Sequence, residues 1–276
     1  MPDNAQVQSG GFFSRLASLP NESVAKMVLV TTILCLVCSI LVSSAAVFLK
    51  PRQDRNVELA RKERILEVAG LMEPDRSIDE LFQSVEVRVV DLETGEYTDA
   101  VDPDTYDQRV AARDPKLSEA VPPWEDIAGI KRRARYAPVY LVKKDGELEK
   151  IVVPVHGYGL WSTMYGFMAL SASGEVVEGL TFYQHAETPG LGGEIENPGW
   201  LAKWVGREVY GPEGDVRLQV IKGHVDPASE QAAWSVDGIS GATLTAQGVS
   251  RMVKYWLGAQ GFGPYLQRLE GEGSRS

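Results

Sequence analysis

Asp237-Gly-Ile-Ser-Gly-Ala-Thr-Leu-Thr245, DGISGATLT, is the stretch around which the chain is organised. Gly238 and Gly241 stand among three small hydroxyl residues, Ser240, Thr243 and Thr245. Directly afterwards Val249, Met252, Val253, Trp256 and Leu257 fall at i, i+3, i+4, i+7 and i+8, the spacing of a helix with one apolar face. The string is therefore a turn feeding a helix N-terminus, where backbone N–H groups lack partners and the helix dipole favours negative charge. Glycines admit a ligand close to the backbone and hydroxyls add donors, which is the chemistry of a phosphate site. The plainer reading of the same residues is a capped helix, with Thr243 or Thr245 as the cap and the glycines in the turn.

Upstream of this turn the sequence changes period. Residues 138–143 and 150–155 flank Lys144-Asp-Gly-Glu147, whose Asp-Gly centre marks a hairpin. Residues 165–172 and 176–184 flank Ser173-Gly174, and 85–90 (VEVRVV) alternates as a strand. The pattern predicts an antiparallel meander, with a further strand at 216–222 and a short helix opened by Asn197-Pro198. Residues 78–82 read as another short helix, and 103–123 as a proline-punctuated loop with at most short helices. The basic run Ile130-Lys-Arg-Arg-Ala-Arg-Tyr136 reads first as a solvated face, and more sharply as a docking patch.

Nearer the start, residues 27–49 carry no charge and are bracketed by Lys26 and Lys50. As a helix this run spans roughly 34 Å, enough for a bilayer core of about 30 Å and longer than the usual core of a cleaved signal. Residues 52–71 follow with the spacing of an amphipathic helix (Leu59, Ile65, Leu66, Ala69). Arg15 and Lys26 precede the span while Lys50, Arg52, Arg55, Arg61, Lys62 and Arg64 follow it. That bias points the large domain to the cytoplasm, but long domains cross against it, so charge does not fix orientation.

Composition excludes several functions. A net charge of −10 and a pI near 4.9 argue against nucleic acid as a partner. Cys35 and Cys38, the only cysteines, lie in the apolar run, so the folded part has no disulfide framework or thiolate metal site. Three scattered histidines (His156, His185, His224) and no HExxH leave no expected metal centre. No GxSxG string or Ser–His–acid set suggests acyl transfer, and no catalytic residue is assigned.

DGISGAT resembles the flavinylation motif Asp-x-x-(Ser/Thr)-Gly-Ala-Thr of the FMN-binding domain family, in which the closing Thr carries FMN through a phosphoester. The resemblance puts the acceptor at Thr243; spacing alone leaves Thr245 open. YAPVYLV (136–142), PVHGYGLWSTMYGF, GLTFYQHAETPGLGGEI and the GFGPYL tail extend the likeness over nearly the whole chain. Together they resemble the family of C subunits of sodium-translocating NADH:quinone oxidoreductases. The G subunit of Rnf-type complexes, which shares the motif, is the alternative. A membrane-anchored module that binds a phosphorylated ligand without redox chemistry is another, and a third is a purely structural role in assembly.

The resemblance implies an α+β chain: one N-terminal transmembrane helix, then a mainly antiparallel-sheet FMN-binding domain with flanking helices. The expected divisions are a tail at 1–25, an anchor at 26–50, a membrane-proximal region at 51–135 packed on the domain, the FMN-binding domain at 136–270 and a disordered tail at 271–276. It further implies an electron carrier with covalent FMN in the bacterial inner membrane, its large domain periplasmic. Implied partners are the other subunits of the complex, membrane lipid and a flavin transferase. Leu191, Trp161 and Tyr165 are candidates for the apolar wall of the ring. Glu187, Thr188 and Gly192 are candidates for hydrogen bonds to ring or ribityl chain, and His185 is expected to shape its turn. Asp237, Ser240, Gly241, Ala242 and Thr245 complete the expected cofactor set. No nicotinamide site is visible, so NADH oxidation would lie on another member of the complex.

Overall fold

The computed structural model describes residues 23–273, and its contacts fall into two units, one ending at Glu58 and the other beginning at Leu59. The expected tail at 1–25 lies outside the described residues up to 22, as does the expected tail at 271–276 from 274 onward.

In the first unit the chain is helical from Val24 onward, as part of helix α1 (Val24–Ala69). Leu34, Leu41, Val42 and Phe48 are exposed, and the apolar residues go all round. A helix of that kind has no polar face to turn to water, and this one is long and apolar enough to cross a membrane. The sequence suggests a separate amphipathic helix from 52; the helix instead continues through Pro51. Proline removes a single N–H donor, and the bonds of the neighbouring turns carry the helix past it.

In the second unit, the end of α1 turns Ile65, Leu66, Val68 and Ala69 inward. Helix α2 (Ile78–Phe82) follows with a capping box: Ser77 Oγ accepts from the N–H of Glu80, and the Glu80 carboxylate accepts from that of Ser77. The strands are β1 (Val85–Asp91), β2 (Glu96–Tyr97), β3 (Ser118–Ala120), β4 (Arg132–Ala134), β5 (Tyr136–Lys144), β6 (Glu147–Tyr158), β7 (Thr163–Ser171) and β8 (Val177–Gln184), with helix α3 (Gln108–Ala111) between β2 and β3. Six of them form one antiparallel sheet in the order β2-β1-β5-β6-β7-β8. The expected hairpin joins β5 to β6, with Asp145 and Gly146 both at positive φ. Since β1 pairs along its length with β5, a segment N-terminal to 136 supplies strands of the same sheet.

Both sheet faces are buried, which is why YAPVYLV is a continuous apolar run. Val139, Leu141, Ile151, Val153, Met164 and Met168 point to one face; Tyr140, Val142, Val152, Phe167 and Ala169 point to the other, against the end of α1 and Leu81 of α2.

Two expectations change. The strand at 216–222 shrinks to β9 (Gln219–Val220), which pairs in parallel with β10 (Ser235–Val236) outside the main sheet. The N–H groups of Arg217 and Leu218 both go to the carbonyl of Val209, which breaks the ladder and lets Leu218 bury. The basic run is structural as well as solvated: β4 pairs with β3, Arg132 donates to Ser118, Arg133 to the carbonyl of Gln260, and Arg135 to Asp91, while Lys131 and Arg135 stay exposed.

After β8 come helix α4 (Pro198–Leu201), capped by Asn197 as expected, then β9, β10, helix α5 (Thr243–Leu257) and helix α6 (Gly263–Gly273). Residues 271–273 thus belong to a helix rather than to a tail.

Candidate functional site

The predicted apolar stripe of α5 is buried throughout: Val249, Met252, Val253, Trp256 and Leu257 have no exposed surface. Trp256 also donates its indole N–H to the carbonyl of His156 at 2.6 Å, tying the helix to β6. This packing fixes where the helix begins. Gly241 takes φ +74°, and a Cβ there would stand 2.8 Å from Leu191 Cδ2. Ala242 is the N-cap, and no side chain caps the helix. The bond from the N–H of Ala246 to the carbonyl of Ala242 opens the helical ladder, so the N–H groups of the first turn lie ahead of it.

The two threonines have different environments. Thr243, the first helical residue, is exposed, as is Ser240. Thr245 is 1% exposed and donates its hydroxyl to Glu187 Oε2 at 2.6 Å. Neither caps the helix, contrary to the plainer sequence reading.

Glu187 is the centre of the arrangement and is 4% exposed. Its Oε1 accepts from the backbone N–H groups of Leu160 (3.1 Å), Trp161 (2.9 Å) and Ser162 (3.2 Å); Oε2 accepts from Leu160 (3.2 Å) and from Thr245. Burial opposes its ionisation, but the Thr245 hydroxyl and the three N–H groups outweigh that and hold its pKa below the ordinary value. Gly159 and Gly192 make room: a Cβ at either would stand 2.6 Å from Glu187 Oε1 or Thr245 Oγ1 respectively. A second tie joins the same loops, from the N–H of Ala186 to Ser162 Oγ at 2.7 Å. His185 shapes its turn as expected, its Nδ1 accepting from the N–H of Glu187.

Loop 159–162, loop 185–193 and the start of α5 therefore meet at one place. The large apolar side chains exposed there are Trp161 (66%), Leu244 (54%), Leu191 (44%) and Leu160 (39%), a rim beside an exposed threonine and the helix-entry N–H groups. Thr188 is exposed, its carbonyl holding the N–H groups of Leu191 and Gly193; Gly192 is buried.

One expected residue lies apart from this place, and a second is taken up by the fold. Tyr165 points to the other sheet face, its ring stacked on His156 and covered by the Arg109 guanidinium 3.8 Å away. The cause is the two-residue period of a strand: its neighbour Met164 faces the α5 side. Asp237 is used in the fold, accepting from Lys203 Nζ (2.7 Å) and the N–H of Val225 (2.8 Å) and lying 3.1 Å from His224 Nδ1. The Lys203 ammonium, then the Val225 N–H, hold its carboxyl well below the usual range. Leu160, Ser162 and Leu244 were not among the expected site residues; the first two fall inside GYGLWS, which marked the loop but not its contacts.

An apolar rim next to a phosphate-type helix entry suits a ligand with a planar ring and a phosphate. Among the described residues no group of histidine, cysteine and carboxylate side chains is placed to hold a metal. Comparison with known proteins agrees with this chemistry. Residues 159–258 match the FMN-binding domain family. The C subunit of the Na(+)-translocating NADH-quinone reductase of Pseudomonas aeruginosa is 51% identical over 252 residues, covering 90% of this chain and 97% of that protein. The protein of the same name from Vibrio alginolyticus is 46% identical over 250 residues, covering 90% and 96%. The crystal structure of Shewanella oneidensis NqrC superposes with a TM-score of 0.70 at 33% identity, over 76% of this chain and 96% of that one.

Proposed function

Because the chain belongs to the family of Na(+)-translocating NADH-quinone reductase C subunits, we propose that it is an electron carrier of such a complex, with FMN joined through a phosphoester to Thr243. The observation that carries the choice of acceptor is the contrast between the two threonines. The hydroxyl of Thr243 is exposed at the helix entry, whereas that of Thr245 is buried and committed to Glu187.

The flavin supplies the redox chemistry, and the chain's residues hold it. The first-turn N–H groups of α5, with the Ser240 hydroxyl, offer donors and a favourable dipole to the phosphate. Gly241 and Ala242 give that phosphate a backbone approach without an obstructing side chain. Leu191 and Trp161, joined by Leu160 and Leu244, offer apolar surface to the ring, and Thr188 a polar contact. Asp237 and Thr245 support the turn from behind.

Threonine is a weak nucleophile, and among the described residues no carboxylate or imidazole is hydrogen-bonded to Thr243 to activate it. Attachment is therefore assigned to a separate flavin transferase that uses FAD and a divalent metal. The uncharged run at 27–49 supports a single span in the bacterial inner membrane, with 26–50 as anchor and the large domain periplasmic. That run holds no ionisable residue besides Cys35 and Cys38, so sodium movement is assigned to other members of the complex, as is NADH oxidation because the sequence shows no nicotinamide site.

A denaturing gel viewed under ultraviolet light tests the reading, with peptide mass spectrometry beside it. A fluorescent band that Thr243→Ala abolishes and Thr245→Ala weakens without abolishing is expected. FMN mass on a peptide lacking Thr243 would overturn the acceptor, and a dark wild-type band would overturn covalent attachment altogether.

A further inference from the structure

We infer that Glu187 is a positioning residue for the flavin site: it clasps the 159–162 loop to the first turn of α5, so that the loop bearing Trp161 is fixed beside the threonine that carries the cofactor. This rests on the FMN reading above and replaces the expectation that Glu187 contacts the flavin itself.

Two observations exclude direct contact. The side chain is buried, and its two oxygens already receive hydrogen bonds from Leu160, Trp161, Ser162 and Thr245. An ionised carboxylate has about four acceptor sites, so little capacity is left for a ligand. The clasp acts on the elements that matter. Thr245 lies two residues beyond Thr243 in the same helical turn, so a bond that holds Thr245 also sets the pose of that turn. At its other end the carboxylate collects the successive N–H groups of the loop whose Trp161 side chain is exposed at the rim.

The clasp is also self-contained. Without the carboxylate, the N–H groups of 160–162 lose their common acceptor and the Thr245 hydroxyl is buried without its partner, so the loop must rearrange to find water. The fold around it does not depend on this: the sheet and the apolar face of α5 are held by their own ladders and packing.

The experiment uses the full-length chain expressed in its membrane, with Glu187→Ala, Glu187→Gln and Thr245→Val. Covalent flavin is read as gel fluorescence per chain. Amide hydrogen exchange at residues 160–162 is read in a Thr243→Ala background, which needs no flavin. Glu187→Ala should strip protection from 160–162 while the amides of β5 to β7 stay protected, and should lower flavin yield about tenfold, since small misplacement of reacting groups is costly. Glu187→Gln should restore both to within about threefold, because its carbonyl can accept from the loop and its amide can donate to Thr245 Oγ1.

Wild-type protection and yield in Glu187→Ala would overturn the inference. So would a Glu187→Gln variant as defective as Glu187→Ala, which would make charge rather than position the cause. If Glu187→Ala unprotects the whole sheet, Thr245→Val decides: a lowered yield supports the clasp, an unchanged one refutes it. A wild-type chain without covalent flavin would instead sink the FMN reading, while the exchange measurement still judges the clasp.

Discussion

Thr245→Val removes one hydroxyl and almost no volume, which makes it a clean probe of the site's interior. Thr245 is 1% exposed and its hydroxyl lies 2.6 Å from Glu187 Oε2, whose other partner is the N–H of Leu160 at 3.2 Å. No cavity opens, so the cost is that of a hydrogen bond to a charged group, about 1.5–3 kcal/mol. For a folded unit of this size each kcal/mol moves Tm by roughly 2–4 °C, so a fall of about 3–12 °C is expected. Thr243→Val touches an exposed, uncapping position and should stay within about 0.5 kcal/mol of wild type. Thermal melts of the detergent-solubilised full chain at neutral pH measure both. Equal shifts in the two variants, or no shift in Thr245→Val, would refute the argument that the second threonine is structural and the first presented. The pH dependence has a sign as well. The folded pKa of Glu187 is depressed, so its contribution is complete above the unfolded value of about 4.3 and is lost as pH falls through the folded value.

His156, between Tyr165 and Trp256, has its pKa lowered to about 4, by burial first and by Arg109 second. The folded state then binds fewer protons than the unfolded one from that value up to about 6.5, so urea stability should decline as pH falls through this window, and His156→Phe should flatten the decline. An unchanged slope would count against it. Asp237→Asn should remove an acid-sensitive contribution that is present above about pH 3.9 and fades as pH falls further, because Lys203 and the Val225 N–H hold the carboxyl low; identical acid limbs would contradict this. Gly192→Ala would set a Cβ 2.6 Å from Thr245 Oγ1 and 3.0 Å from Glu187 Oε2, and should cost about 1–3 kcal/mol and much of the covalent flavin; a melt like wild type would show that the clasp can yield. Protease added to intact spheroplasts should digest the large domain, and digestion only after lysis would reverse the orientation.

Much of the chain is legible in its sequence because the physics involved is short-range. The uncharged run at 27–49 is one helix at any reading, and Asp145-Gly146 makes its hairpin by its own backbone preferences. The apolar stripe from Val249 to Leu257 names the buried face of α5, and DGISGAT names the turn before it. What the sequence leaves open is which residues meet. Thr243 and Thr245 are equivalent by spacing; only the arrival of Glu187, 58 residues upstream of Thr245, buries one and leaves the other exposed. The sheet faces separated Tyr165 from the motif, and Val209 broke the expected strand at 216–222. The arginines of the basic run found partners as far away as Gln260. Periodicity and turn chemistry are properties of neighbours along the chain, whereas hydrogen-bond partners and burial are chosen by packing among segments that are remote in it.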